Sequence, residues 1–433
     1  MSWEAIYDSK KTTAVEAVRA IKSGDRVVFA HACGESQVLS NALLKRGPEL
    51  ENVEIVHMVA MGPAKYCAEE MKGHFIHNSL FAGGSTREAI NRGQALYTPC
   101  FFSEIPRLFR ERYLPVDAAL VQLSQPDEHG YMSFGISVDY TKIAAECAKV
   151  VIAAVNPNMP RTLGNCFMHV SAIDYIVETE EPLIELKPPP IGEIEEQIGK
   201  NVASLIGDGS TLQLGIGAIP DAVLMFLTEK KNLGIHTEMF SDGVVKLVEE
   251  GVITNRAKNF HHGKMIANFL MGSSRLYKFA HNNPFIEMHT VDYTNDPYII
   301  GRNDNMVSIN SALQVDLSGQ VCADTIGYRQ FSGVGGQVDF VRGCSRSKGG
   351  KAIITLPSTA SGGKISRITS TLAEGAAVTT SRNDVQYVVT EYGVAHLRGK
   401  SLHQRAQALI AIAHPDFRKE LAAEVKQKKF IIL

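Results

Sequence analysis

Residues 202–221 read Val202-Ala-Ser-Leu-Ile-Gly-Asp-Gly-Ser-Thr-Leu-Gln-Leu-Gly-Ile-Gly-Ala-Ile-Pro-Asp221. This stretch holds the end of a helical pattern, a Gly-Asp turn, a short apolar strand and a glycine corner. A second helical pattern is predicted over 222–229. Helix, turn, strand and helix in this order are typical of an α/β layer. The glycine corner at a helix start would let backbone N–H groups approach an anion, but a plain structural turn explains it equally.

The same order of features occurs earlier in the chain. Residues 18–28, Val-Arg-Ala-Ile-Lys-Ser-Gly-Asp-Arg-Val-Val, give a helix, a Gly-Asp turn and a strand, and a small-residue corner follows at 32–36. Segments 125–135 and 314–324 form a second pair of similar sequences in the same order. Two such pairs predict two similar α/β halves, and pockets often form between such halves.

Short apolar runs rich in β-branched residues alternate with helical patterns along both halves. Strands are predicted at 26–30, 53–57, 118–122, 150–155, 352–356 and 385–390, and helices at 13–23, 36–44, 193–205 and 402–413. This alternation predicts an α/β fold with mainly parallel sheets.

The clearest break in the pattern is the sequence Leu-Lys-Pro-Pro-Pro-Ile-Gly at 186–192. Three consecutive prolines lack backbone donors and favour extended chain. We therefore predict an N-terminal domain over 1–186, a linker over 187–192 and a C-terminal domain over 193–433.

Composition excludes several classes of protein. The 433 residues are 45% hydrophobic and 21% charged, with a formal net charge of −2, which indicates a globular protein without nucleic-acid or membrane partners. No apolar run is long enough to span a bilayer, and the first residues lack the apolar core of a signal peptide. The seven cysteines form no Cys-x-x-Cys pair, so we expect a cytoplasmic protein without disulfides or a zinc site.

The segment 234–243, Gly-Ile-His-Thr-Glu-Met-Phe-Ser-Asp-Gly, centres on Glu238. Its apolar and small neighbours predict a strand end or loop that faces inward. A carboxylate with few charged neighbours is either held for chemistry or is a buried structural acid bonded to backbone or to His236. The residues alone leave both readings open.

Two further loops and one histidine pair have both a functional and a structural interpretation. The loop 332–340, Ser-Gly-Val-Gly-Gly-Gln-Val-Asp-Phe, either directs N–H groups at an oxyanion or forms an ordinary turn. The loop 358–367 adds Lys364 and Arg367 and suits either a phosphate or solvent. His261 and His262 have no partner at metal-ligand spacing, which favours a surface or helix-end position and no metal site.

Together these segments resemble the acetyl-CoA hydrolase/transferase branch of the family I CoA-transferases. The resemblance covers nearly the whole chain, and each motif is modest by itself while their number and order are specific. The motifs that carry it lie at 74–81, 83–89, 97–106, 215–220, 236–238 with 242–243, 293–297, 333–336 and 393–399.

The resemblance implies two similar open α/β domains with the active site in the cleft between them. It places Glu238 at the catalytic nucleophile, Asn295 at a polar residue near the reacting carbonyl and Gly336 at an oxyanion-binding amide. The CoA-binding positions that it implies are Gly215, Ile216, Gly217, Ala218, Ile219, Ser332, Gly335, Gly336 and Lys364. Loop lengths vary in the family around Ser332 and Lys364.

The implied activity is transfer of CoA between acetyl-CoA and a short-chain carboxylate such as 4-hydroxybutyrate or butyrate, by a ping-pong mechanism through a glutamyl-CoA thioester. CoA and acyl-CoA are then substrates, no tightly bound cofactor is expected, and the assembly is a homodimer or homotetramer. Two alternatives stay open: an acyl-CoA hydrolase on the same scaffold, and a non-catalytic CoA or nucleotide sensor. Glutamate at position 238 argues against the sensor.

Overall fold

Seven parallel strands form the main sheet of the first of two units, which comprises Met1–Lys187 and Ile266–Thr294. The computed structural model of the chain describes residues 2–426. In spatial order the strands are Leu96–Tyr97, Phe75–Ser79, Val53–His57, Arg26–Phe29, Ala118–Leu123, Val150–Val155 and Tyr175–Glu178. The helices are Trp3–Lys10, Ala14–Ala17, Gln37–Lys45, Arg87–Asn91, Ile105–Arg110, Thr141–Cys147, Ser274–Ala280 and Val291–Thr294.

The second unit comprises Pro188–Met265 and Asn295–Leu433 and has a sheet of six strands. In spatial order these are Gly234–Ile235, Thr211–Leu214, Met306–Ser311, Lys351–Thr355, Tyr387–Thr390 and Gly393–His396; only the last pairing is antiparallel. Its helices are Glu193–Ala203, Ala218–Met225, Asp242–Glu249, Pro297–Ile300, Gln337–Arg346, Leu402–Ile412 and Pro415–Lys426.

Shorter elements complete both units. Additional strands are Tyr131–Ser133, Phe167–His169, Met239–Phe240, Met265–Ala267, Phe269–Leu270, Ile286–Met288, Gln314–Asp316, Val321–Cys322, Thr325–Ile326, Arg329–Gln330, Thr359–Ala360, Ile365–Ser366 and Ile368–Thr369. The 3-10 turns are Val18–Ala20, Gly47–Glu49, Lys65–Cys67, Glu69–Met71, Phe102–Glu104 and Val170–Ala172.

The predicted parallel α/β fold is confirmed, and the predicted strands and most of the predicted helices are present with shifts of a few residues at their ends. The helix predicted over 13–23 is shorter: an α-helix over Ala14–Ala17 is followed by the 3-10 turn Val18–Ala20. All six residues of the strand Ala118–Leu123 are buried. A parallel strand is covered on both faces, which explains why these strands appear in the sequence as continuous apolar runs. Each unit has its own apolar core, including Phe29 and Leu43 in the first and Phe340 and Leu409 in the second.

Residues 266–294 belong to the first unit, although the sequence pattern assigned them to the C-terminal domain over 193–433. Phe269 forms a backbone bridge with Ser137, and Met288 forms one with Gly164. The hydroxyl of Tyr277 donates to the carbonyl of Ile184 at 2.7 Å. These long-range pairings satisfy polar groups and leave no periodic signal in the sequence. The boundaries 1–186, 187–192 and 193–433 otherwise stay a prediction.

The proline-containing segment has no regular structure from residue 179 to residue 192. The helix Glu193–Ala203 then begins with Glu193, Glu195 and Glu196 in its first turn, where negative charge is favoured. Among the helices of residues 2–426, none is long and apolar enough to cross a membrane.

Candidate active site

Glu238 lies immediately beyond the carboxyl end of a parallel strand. The strand Gly234–Ile235 ends two residues before the buried Thr237, whose hydroxyl donates to the carbonyl of Met239 at 2.8 Å. This bond fixes a bend in the chain, and Glu238 at the bend is half-buried. Ligands of open α/β sheets bind at the carboxyl ends of the strands, so the position suits a reactive group.

The structure brings together the three residues predicted to be catalytic. The Nδ2 atom of Asn295, which is 0% exposed, donates to Oε2 of Glu238 at 3.0 Å. A Cβ atom added at Gly336 would overlap both that Oε2 atom and Nδ2 of Asn295. Only glycine therefore allows the backbone at position 336 to lie against the carboxylate, and three segments distant in sequence form one cluster.

The cluster lies at the start of a helix. Gly336 is the residue that precedes the helix Gln337–Arg346, and Gly335 has a positive φ of 56° that favours glycine. The first N–H groups of a helix lack partners within it, and the helix dipole adds partial positive charge at this end. Both effects favour a carboxylate or an oxyanion beside Gly336.

Two residues of this helix were not singled out by sequence reasoning. Oδ2 of Asp339, which is buried, lies 3.5 Å from Nδ2 of Asn295 and accepts a hydrogen bond from it. The side chain of Gln337 donates to the carbonyl of Ser311 at 2.9 Å and accepts from Thr380 at 2.9 Å. An acidic residue in the first turn of a helix is common for electrostatic reasons, so only the tertiary contact distinguishes Asp339.

Buried polar residues behind Glu238 hold its strand in place. Nζ of Lys258 donates to the carbonyls of Ile235 at 2.8 Å and Lys264 at 2.7 Å. Nδ1 of His236 lies 3.3 Å from the side-chain nitrogen of Asn303. Because these groups are buried, their hydrogen bonds strongly favour one conformation of the strand end that precedes Glu238.

The predicted CoA loop follows the neighbouring strand, Thr211–Leu214. Gly217 has a φ of 114°, and no heavy atom lies within 4 Å of the place that a Cβ would occupy. Ile216 is 42% exposed. The loop therefore presents open backbone at the carboxyl edge of the same sheet, next to the strand that leads to Glu238.

The helix after this loop begins earlier than predicted. It spans Ala218–Met225 rather than 222–229, and Pro220 lies in its first turn. Proline is tolerated there because the first N–H groups of a helix have no partner within it. Ala218 and Ile219 are consequently helical residues, and of the predicted loop only 215–217 is irregular.

Asp221 connects this helix to the segment beyond Glu238. Its Oδ1 atom accepts from the hydroxyl of Ser241 at 3.4 Å. Burial raises the pKa of Asp221, while the Ser241 hydrogen bond acts in the opposite direction. A Cβ at Gly243 would overlap Leu224, so the helix packs closely on the chain that leaves the site.

The remaining predicted CoA-binding residues differ in their surroundings. Gly335 adjoins Gly336 directly. The hydroxyl of Ser332 donates to the carbonyl of Ala323 at 3.1 Å, which ties the start of the glycine loop to a neighbouring turn. Lys364 is exposed in the turn between Thr359–Ala360 and Ile365–Ser366. None of the contacts in the described part of the chain joins Lys364 to Glu238, and its role stays a prediction.

Metal chemistry has no evident ligand set in this region. Across residues 2–426, no group of three or more His, Cys, Asp or Glu side chains is arranged to hold a metal ion. The cluster instead offers one carboxylate, one amide donor and a glycine backbone at a helix start.

Family models match both halves of the chain. The N-terminal domain of acetyl-CoA hydrolase/transferase matches residues 1–186, and the C-terminal domain of acetyl-CoA hydrolase/transferase matches residues 272–425. The chain belongs to the acetyl-CoA hydrolase/transferase family.

Individual relatives narrow the class to CoA-transferases. The 4-hydroxybutyrate coenzyme A transferase of Clostridium kluyveri is 63% identical over 428 residues, with 99% of this chain and 100% of that protein covered. The butyryl-CoA:acetate CoA-transferase of Anaerostipes caccae is 40% identical, with 99% and 98% covered. The crystal structure of 4-hydroxybutyrate CoA-transferase from Porphyromonas gingivalis has 46% identity and a TM-score of 0.86, with 99% and 100% covered. The chain is accordingly an enzyme of the CoA-transferase class.

Proposed function

We propose that this enzyme moves CoA between acetyl-CoA and a short-chain carboxylate, with 4-hydroxybutyrate as the first candidate acid and butyrate as the second. The reaction follows a ping-pong course through a thioester between CoA and Glu238. The observation that carries this proposal is the meeting of Glu238, Asn295 and Gly336, which combines a nucleophile with donors for an oxyanion.

In the first step, a carboxylate oxygen of Glu238 attacks the carbonyl carbon of acyl-CoA. Negative charge builds on the carbonyl oxygen, where the backbone N–H of Gly336 and the amide of Asn295 stabilise it. One such donor typically contributes about 3–4 kcal/mol to the transition state. Breaking the carbon–sulfur bond then leaves an acyl-glutamyl anhydride and the CoA thiolate.

In the second step, the thiolate attacks Cδ of Glu238. The anhydride carbon–oxygen bond breaks, the first acid departs as a carboxylate, and CoA remains on Glu238 as a thioester. A second carboxylate attacks that same carbon and expels the thiolate, which attacks the acyl carbon of the new anhydride. This last attack releases the new acyl-CoA and restores the Glu238 carboxylate.

The thioester bond is preserved through these exchanges, so the proposed reaction consumes no ATP. Its intermediates react readily with water, and a transferase must therefore keep water from Glu238 while CoA is attached. Backbone contacts between the CoA chain and residues 215–219 would supply binding energy used in the transition state.

The relatives support the choice of acid. The Clostridium kluyveri and Porphyromonas gingivalis proteins are described as 4-hydroxybutyrate CoA-transferases, and the Anaerostipes caccae protein uses butyryl-CoA and acetate. Identity of 63% over nearly the whole chain favours 4-hydroxybutyrate over butyrate.

The test is an exchange assay in which the enzyme and acetyl-CoA meet one acid at a time, with products read by mass spectrometry. We expect 4-hydroxybutyryl-CoA to form fastest and butyryl-CoA next. Incubation with acetyl-CoA alone should leave CoA on the peptide that contains Glu238, and borohydride should inactivate only enzyme treated in this way.

Two outcomes would contradict this proposal. Release of CoA at full rate without any added carboxylate would indicate a hydrolase on the same scaffold. Failure of every acid to accept CoA, with acyl-CoA bound but unchanged, would indicate a binding protein.

A further inference from the structure

The geometry points to Asp339 as a positioning residue that holds the amide of Asn295 toward Glu238 while Glu238 is acylated. The inference rests on the function proposed above. Asp339 is 4% exposed and lies in the first turn of the helix Gln337–Arg346.

One nitrogen atom is shared between two carboxylates. Nδ2 of Asn295 lies 3.0 Å from Oε2 of Glu238 and 3.5 Å from Oδ2 of Asp339. It carries two hydrogens and donates to an oxygen of each carboxyl group, so both groups favour the same orientation of the amide. Rotating the amide by half a turn would bring its carbonyl oxygen against carboxylate oxygens, which repel it.

Only one of the two carboxyl groups, that of Glu238, is modified during the reaction. Once Glu238 carries an acyl group or CoA, it has lost its negative charge and attracts the amide less strongly. Asp339 takes no part in the covalent steps, so its Oδ2 atom remains in place to accept from Asn295. It therefore continues to orient the N–H of Asn295 when the next oxyanion forms on the Glu238 carbonyl.

The surroundings of Asp339 suit this role because the helix that carries it is anchored. The side chain of Gln337, two residues earlier, bonds to the carbonyl of Ser311 and to the hydroxyl of Thr380. These bonds fix the helix start against the carboxyl end of the strand Met306–Ser311. A rigid second carboxylate then restricts Asn295 more than a mobile one would.

The same position has a purely structural explanation. A negative charge in the first turn of a helix stabilises that helix by itself. The experiment must separate this effect from an effect on the intermediate, and a buried aspartate elsewhere in the unit provides the control. Asp316 is also 4% exposed, and it accepts from Ser318 and Gln320 within its own turn.

The variants are Asp339→Ala, Asp339→Asn and Asp316→Ala. Each is loaded with acetyl-CoA, and the decay of the Glu238 thioester after adding carboxylate is followed by rapid quench and mass spectrometry. In Asp339→Ala we expect decay to slow about 10- to 100-fold, the worth of a hydrogen bond to a charged group. The KM for acyl-CoA should stay within about threefold of wild type, because substrate binding does not use Asp339.

Asp339→Asn keeps an acceptor oxygen without the charge, so its rate of thioester decay should lie between those of wild type and Asp339→Ala. This variant replaces Asp339→Ala in the test if the alanine variant does not fold. Asp316→Ala should lower the melting temperature but leave decay at the wild-type rate. Wild-type decay in Asp339→Ala, or equal slowing in Asp316→Ala, would overturn the role of Asp339. Absence of the thioester in the wild-type enzyme would instead overturn the proposed function.

Discussion

The two units place a glutamate near the carboxyl edge of their sheets in opposite settings. In the first unit, Glu35 follows the strand Arg26–Phe29, is 3% exposed and accepts from the backbone N–H of Gly62 at 3.1 Å. In the second unit, Glu238 is half-buried and lies against a glycine at a helix start. The first carboxyl group closes a loop onto the sheet, while the second is the proposed nucleophile.

Glycines at the two sheet edges differ in the space around them. A Cβ at Gly62 would overlap the side chains of Gln37 and Glu35, so side chains already fill that edge. In the second unit a Cβ at Gly336 would likewise overlap Glu238 and Asn295, whereas at Gly217, in the loop after the neighbouring strand, the corresponding space is empty. Similar layers thus carry different loops at their carboxyl edges, and we expect the chemistry to depend on this local difference rather than on the fold.

The largest effect should come from replacing the two glutamates by glutamine. Glu238→Gln removes the proposed nucleophile, and we expect kcat to fall by about a thousandfold or more. Glu35→Gln keeps the shape of a buried group, so kcat should stay within about threefold. Steady-state exchange assays measure kcat of both variants. Comparable losses of kcat in the two variants would contradict the proposed difference between Glu35 and Glu238.

A methyl group at Gly336 should have the next largest effect. Gly336→Ala displaces Glu238 and Asn295, and we expect kcat to fall about 100-fold, the scale for misplacing a reacting group. Gly62→Ala meets Glu35 and Gln37, and should lower the free energy of unfolding by about 1–3 kcal/mol through overpacking. Activity assays measure the effect of Gly336→Ala on kcat, and urea denaturation measures the effect of Gly62→Ala on stability. A fully active Gly336→Ala would contradict the site geometry.

Gly217→Ala tests whether the open loop contacts CoA. Its φ of 114° disfavours any side chain, so we expect a stability loss of about 1–3 kcal/mol and a KM for acyl-CoA raised about tenfold. Gly251→Ala is the matched control, since Gly251 has a φ of 77° and open space around it but lies outside the site. Gly251→Ala should lose stability and keep its KM for acyl-CoA. An equal rise of KM in both variants would exclude a specific role for the loop.

The smallest effect is a dependence of stability on pH. Burial raises the pKa of Glu35 above its ordinary value of 4.5, although the Gly62 N–H partly opposes this. The folded state therefore retains this proton more strongly than the unfolded state. The stabilisation is complete below pH 4.5 and is lost as pH rises through the folded pKa.

Chemical denaturation of wild type and Glu35→Gln at several pH values measures this effect. Glutamine does not titrate, so the wild-type enzyme should lose stability relative to Glu35→Gln as pH rises from 4.5. A difference between the two proteins that stays constant with pH would show that Glu35 does not have a raised pKa.

Much of the fold and part of the site were predictable from local pattern. The apolar runs at 118–122 and 150–155 are strands because parallel strands are buried on both faces. The start of the helix after Gly217 was missed because proline usually signals a break, and only its place in the first turn makes it compatible with a helix. The grouping of 266–294 with the first unit was missed because it depends on pairings far apart in sequence.

By itself, the sequence determined the alternation of strands and helices, the glycine corners and the family motifs, because these depend on neighbouring residues. The tertiary structure alone decided that Asp339 reaches Asn295 and that Gly336 lies against the carboxylate of Glu238. Those contacts join segments more than forty residues apart, and their geometry is set by how helices and strands pack rather than by any local preference.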